Sequence, residues 1–452
     1  MTDQIHQTVE KEHDVLARAE TATVNVISPR DAKRAAYGAL VGNVLEWYDY
    51  FLFNTAAALV FNVQFFVSDN AATASMASFA TLAVGFLVRP LGGVLFGWLG
   101  DRVGRKAVLM ITVIGIGVAT GLIGVLPNFM SIGIAAPIFV VVLRMLQGLF
   151  IGGEWGGAMT LAVEHAPLKM RAAMAAIPQM GSPLATILSS GGFFLLALFL
   201  SQDSFDSWGW RVPFLAAIPL LLFALWLRSK LSESPVFQQV KDSGHKADAP
   251  ISTVLRTSWR QMLIGMFAVI LGTAGFYIVT SFIMNYGTRV LEIDKDVVLA
   301  ATMIGAVFQL AAVVHAGKLG QRFGASKVII WSGVAGALIA FPILMMVETT
   351  STPLVIAAVV IGLVVLTYSF AAAGSILTGL FAPNVRLSGV SLTYNAANIM
   401  AGLTPLVSTA LVTAAGEHWW PAAMILIFFS VTSSIAAWLA PKLSQKLEDF
   451  AH

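Results

Sequence analysis

Residues 97–104 read GWLGDRVG, and residues 317–324 read GKLGQRFG. Gly, Leu, Gly, Arg and Gly recur in register after 220 positions. The first copy follows the second long apolar stretch of the chain, and the second copy follows the eighth. The chain therefore reads as two six-span halves related by a repeat. Between them lies the longest internal hydrophilic segment, residues 228–260, RSKLSESPVFQQVKDSGHKADAPISTVLRTSWR. The expected layout is a tail over 1–33, a six-helix bundle over 34–227, a linker over 228–260, a second bundle over 261–440 and a tail over 441–452. Two bundles around a central site is a common plan among secondary transporters.

Composition agrees with that plan. Of 452 residues 57% are hydrophobic and only 11% charged, with a mean hydropathy of +0.81. Soluble domains carry about 25% charge. Twelve apolar stretches are long enough to cross a bilayer core, which needs about 20 residues each: roughly 36–60, 74–100, 107–126, 134–162, 172–200, 211–227, 261–286, 297–316, 328–347, 353–381, 388–414 and 421–440. With the N-terminus inside, all but five of the 27 Lys and Arg fall in cytoplasmic tails and loops. The exceptions are Arg211, Arg289 and Lys295 outside and Arg89 and Arg144 within spans. The positive-inside rule thus places both termini in the cytoplasm. The first 30 residues lack an apolar core, so no cleavable signal is expected and the tail reads as largely disordered. With no cysteine, disulfides and thiolate metal sites are excluded.

The first repeat belongs to a longer segment, RPLGGVLFGWLGDRVGRK (89–106). Gly93 and Gly97 share a helix face with Arg89 and Asp101, and small residues so spaced let a neighbouring helix come close. This segment resembles the loop signature of the major facilitator superfamily. The fourth span, RMLQGLFIGGEWGGA (144–158), together with EWYD in the first span, WGWRVPF (208–214) and LSESPVF (231–237), is similar to the metabolite:proton symporter branch, and most like its shikimate transporters. The likeness covers essentially the whole chain. It implies the major facilitator fold: an all-α polytopic membrane protein of twelve transmembrane helices in two six-helix bundles. It also implies a cytoplasmic gate at Gly97, Asp101, Arg102, Gly104 and Arg105, the aspartate meeting charges and helix ends of the opposite half. In the second copy Gln321 replaces the acid, so a one-sided latch is expected.

Five charged residues fall within the spans: Glu46, Asp49, Arg89, Arg144 and Glu154, all in the first half. Such charges cost about 2.5–3.5 kcal/mol at mid-bilayer, so they face the bundle interior and pair. Three acids against two bases leave one acid in excess. Asp49, Glu46 and Glu154 are the candidate proton carriers. Arg144 and Arg89 are the candidate anion contacts, because guanidinium binds carboxylate through two parallel hydrogen bonds. Gln147, Tyr277, Asn285, Tyr394, Asn395 and Asn398, with Thr280, are candidate hydroxyl contacts. Tyr48 and Trp47 are a candidate aromatic wall. His315 reads as a headgroup-level residue, and Arg211 as closing an outer vestibule or lying at the lipid interface.

No phosphate loop ending in Gly-Lys-Ser/Thr and no metal-spaced cluster occurs, so an enzyme, a nucleotide-driven pump, a cofactor, a metal and a nucleic-acid partner are not expected. A sensor would need an output module and a channel a charged ring, and neither is visible. The expected function is proton-coupled uptake of a small organic acid, shikimate or a related hydroxylated ring acid first. Dicarboxylates such as 2-oxoglutarate and zwitterions such as betaine or proline are the alternatives. The partners are the solute, protons and the lipid bilayer. The resemblance implies a monomer in a bacterial inner membrane.

Overall fold

A computed structural model describes residues 28–67, 71–242 and 250–443. Most of both expected tails, residues 1–27 and 444–452, lies outside the described residues. Among the described residues every regular element is helical, and ten helices are long and apolar enough to cross a membrane. Twelve helical tracts follow one another. They are α1 (Pro29–Ala56), α2 (Ala71–Arg102), α3 (Arg105–Val125), α4 (Ala135–Glu164), α5 (Arg171–Gln179 and Gly181–Phe199) and α6 (Arg211–Leu215 and Ala217–Ser229). After the linker come α7 (Trp259–Tyr277, then Ile283–Arg289), α8 (Lys295–Phe323), α9 (Ala325–Glu348), α10 (Thr352–Leu380), α11 (Arg386–Ala414) and α12 (Trp420–Leu443). The ten do not include α1, which carries buried acids, or α5, which breaks at Met180 just after Pro178.

Local chemistry sets the ends. Ser28 caps α1 by accepting from Asp31 N at 3.2 Å, and Pro29 occupies the first turn, where its missing N–H costs nothing. The repeated octapeptides end alike: Gly104 and Gly324 sit at φ +133° and +91° and start α3 and α9. Only glycine takes such a φ without strain. The repeat extends further. The first helix of each half carries a π turn near its far end, Ala57–Phe61 in α1 and Ile278–Phe282 in α7.

Glycine also sets the closest helix crossing, between α2 and α4. A Cβ on Gly148 would lie 2.2 Å from Gly85 O, and one on Gly152 would lie 2.1 Å from Arg89 O. Each half repeats a contact with the other. Gly97 of α2 abuts the Ser388 backbone of α11, while Gly317 and Gly320 of α8 abut Ala176 and Ala172 of α5. The face carrying the Gly104 and Gly324 turns is called the turn face below. A linker helix, Pro250–Thr257, also packs there against α2 and α11.

Candidate functional site

Asp49, Arg144 and Glu154, with Arg228, form two closed groups. Arg144 meets Asp49 at 2.7 Å, both side chains sealed from solvent. Thr120 donates to the other Asp49 oxygen at 2.7 Å, Gln147 donates to the same oxygen, and the Arg144 guanidinium lies 4.4 Å from the Phe53 ring centre. The second group joins Glu154 to Arg228 through both guanidinium nitrogens, with Thr112 donating to Glu154. Arg228 also donates to Gly38 O at 3.1 Å and Leu109 O at 2.5 Å. Gly42 leaves room for this pair, because a Cβ there would strike both partners.

Glu46 and Arg89 are left over. Both are buried, at 4% and 8% exposure. Neither makes an ion pair within 4.0 Å among the described residues, and Glu46 Oε2 and Arg89 Nε lack hydrogen-bond partners. Glu46 lies within electrostatic range of Arg89, Glu154 and Asp49. Arg89 stacks on Phe86 at 4.2 Å.

Beside this couple, the two halves enclose a void of about 20 Å³, room for one water. Trp47 and Gln179 face it from the first half, and Tyr277, Gln309, Tyr394 and Asn398 from the second. Tyr394 and Tyr277, which line the void, both lie within electrostatic range of Arg89, and Tyr394 also of Glu46. Toward the turn face Trp155 stacks flat on Tyr394, with centroids 3.6 Å apart. Trp155 donates to Gln179 at 3.2 Å, and Gln179 donates to Phe370 O of α10 at 2.9 Å, tying the halves together. Tyr50 touches Phe86 and Tyr277 edge-on, joining α1, α2 and α7.

The turn face is closed. Asp101 accepts from Leu387 N at 3.2 Å and Ser388 N at 2.9 Å, the free donors opening α11, where a helix end favours negative charge. Arg105 meets Asp101 and Glu164 at 3.3 Å each and donates to Pro383 O at 2.7 Å. Arg386 reaches Glu164 at 3.0 Å from the other half. The linker adds a brace. Glu233 accepts from Arg105 N at 3.0 Å, Ser234 Oγ donates to Glu164 at 2.5 Å, and Phe237 lies under the Arg105 guanidinium at 4.7 Å. Asn395 adds a cross-half bond to Gly152 O at 2.8 Å.

The Major Facilitator Superfamily profile matches residues 39–365. The chain belongs to the Major Facilitator Superfamily. It is a multi-pass membrane transporter and not an enzyme. It is 37% identical over 412 residues to the shikimate transporter of Escherichia coli K12, covering 90% of this chain and 94% of that one. A Staphylococcus haemolyticus protein whose name gives proline and betaine as provisional substrates is 32% identical, over 88% of this chain and 86% of its own. The fold matches the proton:xylose symporter XylE bound to 6-bromo-6-deoxy-D-glucose, with a TM-score of 0.73 at 16% identity, over 93% of this chain and 99% of that one.

Within this major facilitator fold the residues singled out in the sequence separate. Tyr277, Tyr394, Asn398 and Trp47 come together on the void. Arg144 and Gln147 sit in the Asp49 group instead, and Tyr48 points away, donating to Pro213 O at 2.6 Å. Asn285 is exposed beyond the π turn of α7, and Thr280 donates to Phe276 O. Asn395 belongs to the cross-half contacts. Of the gate set, Gly97, Asp101, Gly104 and Arg105 lie in the turn-face cluster, while Arg102 is exposed and stacks on Trp98 at 4.9 Å. Gln321 is exposed, and a Cβ on Gly324 would meet nothing, so among the described residues the second octapeptide has no counterpart of the Asp101 contacts. His315 is exposed and bonds Tyr368 at 2.7 Å; Arg211 donates to Gly124 O and Leu126 O, capping α3.

The sequence reading missed several partners. Arg228 was counted with the linker but is 1% exposed inside α6. Added to the five charges read within the spans, it makes three acids and three bases there and removes the surplus acid. Glu164 and Arg386 were read as loop charges at the ends of their spans. Gln179 and Gln309 carried no signal beyond being amides in apolar runs.

Proposed function

We propose that the chain imports a small organic acid together with a proton, shikimate or a related hydroxylated ring acid first, by alternating access in a bacterial inner membrane. Twelve spans with both termini cytoplasmic make the turn face the cytoplasmic face. Positive charge on that face and the similarity to the shikimate transporter support this reading. Proton coupling rests on the unpaired couple, Glu46 and Arg89. A buried ion that lacks a close partner is costly, and burial alone favours a neutral acid.

The arithmetic of that couple gives the coupling. In the empty site Glu46⁻ and Arg89⁺ balance each other. In the loaded site the solute carboxylate takes Arg89, and Glu46 takes a proton. Both states are neutral. Solute without proton, or proton without solute, leaves one uncompensated charge among the helices. At about 2.5–3.5 kcal/mol, such states cross roughly a hundredfold less often. Asp49–Arg144 and Glu154–Arg228 serve as fixed pairs that hold α1, α3, α4 and α6. Closure at the turn face leaves the far side as the one to open for loading.

The test is uptake of labelled shikimate into proteoliposomes with an acidic exterior, with and without a protonophore. Accumulation above equilibrium that the protonophore abolishes is expected. No uptake by folded protein, with uptake of 2-oxoglutarate or betaine in the same vesicles, would replace the solute. Accumulation that persists with protons at equilibrium and follows sodium would replace the proton.

A further inference from the structure

We infer that the second half supplies the transport cavity with a wall that recognises hydroxyl groups, in which Gln309 Oε1 accepts a hydrogen bond from the solute. This deepens the function proposed above and rests on it. Thr367 Oγ1 donates to Leu363 O at 2.7 Å, so its single proton is committed and the oxygen can only accept. Gln309 Nε2 donates to that oxygen at 2.9 Å. Thr367 therefore fixes which end of the amide faces α10. Among the described residues no bond reaches the carbonyl end, on a residue that is 7% exposed and lines the void. Thr273 repeats the arrangement on α7: its proton goes to Val269 O at 3.1 Å, and its lone pairs remain.

Gln309 Oε1 and Thr273 Oγ1 offer acceptors, and the lining of this half carries no charge, its other polar groups besides Thr367 being Tyr277, Tyr394 and Asn398, which can both donate and accept. At the Gln309 and Thr273 oxygens the favoured solute group is one that donates. A hydroxyl does so. A second carboxylate placed there would meet the partial negative charge of the amide oxygen with no proton to share, and a quaternary ammonium has no N–H or O–H to offer. Gln309 thus favours a hydroxylated acid over a dicarboxylate or a betaine at the point it faces. The void is too small for a ring, so the contact forms when the halves part. Gln309 and Thr367 both belong to the second half, so their arrangement travels with it.

Binding to purified wild-type protein and to Gln309→Leu, with Thr367→Val as second variant, tests this with three probes. They are shikimate, cyclohexene-1-carboxylate (a ring carboxylate without hydroxyls) and glycine betaine. Wild type is expected to favour shikimate over cyclohexene-1-carboxylate by tenfold or more. Gln309→Leu should narrow that ratio about tenfold, by weakening shikimate alone. Thr367→Val should narrow it in the same direction by less, and serves if Gln309→Leu does not fold. A preference left intact in both variants overturns the wall while leaving organic-acid transport standing. Equal binding of the two ring acids by wild type does the same. Binding of betaine in place of either ring acid, or of none of the three by folded protein, overturns both readings.

Discussion

A guanidinium at the end of an apolar run decides how the first half is read. In ALWLR the run stops at Arg228, and composition alone places that arginine at the headgroups. Its side chain instead turns back between α1, α3 and α4 to meet Glu154, a path that sequence spacing does not encode. Glu154→Gln should strand Arg228 and destabilise the protein by about 3–5 kcal/mol, the usual cost of breaking a buried pair from one side. Thermal unfolding in detergent reads this loss, and Glu154→Leu combined with Arg228→Leu should recover much of it. A shift within error for Glu154→Gln would mean that the pair holds nothing. Glu46 and Asp49 were legible as costly charges on one span. Which of them lacked a partner was not, because the answer lies in Arg144, Thr120 and Gln147 on two other helices.

Elements were more legible than their joints. The Gly93 and Gly97 spacing of α2 announced a close neighbour, and α11 supplies it with Asn395 and Ser388, while Gly85 and Gly92 of α2 face α4. Gly152→Val would drive a side chain into the Arg89 and Gly92 backbone, where neither helix has a flexible group to yield. Overpacking of this kind costs about 1–3 kcal/mol or more, so a marked loss of folded yield and of size-exclusion monodispersity is expected. Gly191→Val, which meets nothing within 4 Å, is the control. The π turns of α1 and α7, AALVF and IVTSF, left no mark in the sequence, since a change of hydrogen-bond register in a mostly apolar stretch alters no periodicity. Their matching places show that the internal repeat reaches beyond the octapeptides that revealed it.

At the scale of the molecule, the turn-face cluster sets which side is shut. The motif predicted Asp101 in it. Glu164, Arg386 and Glu233 join from positions far apart in the chain, which no local pattern could reveal. Asp101→Asn should weaken both the Arg105 contact and the charge at the α11 N-terminus, and shift the protein toward opening at that face. The chain has no native cysteine, so spin labels on the α2–α3 and α10–α11 turns report the separation directly. A distance distribution identical to wild type would contradict the latch. His165 adds a pH dependence. Burial holds this imidazole below its ordinary 6.5, against opposing effects of its bond to Leu161 O and the nearby Glu164, Glu233 and Asp31. The closed state thus prefers neutral His165, and an opened state that wets it regains the ordinary value. As pH falls through about 6.5 the open state binds the proton first, so closure loses stability toward acid and is fully present above that range. The label separation should rise below pH 6.5 and stop doing so in His165→Gln.

The coupling proposed for Glu46 and Arg89 binds these scales together, and one variant tests it. Glu46→Gln makes the couple permanently resemble its protonated form. In proteoliposomes it should still exchange labelled for unlabelled solute across the membrane within a few-fold of wild type, yet fail to concentrate solute under an inward proton gradient. Gradient-driven accumulation at the wild-type level by Glu46→Gln would contradict the account and move the proton to another group.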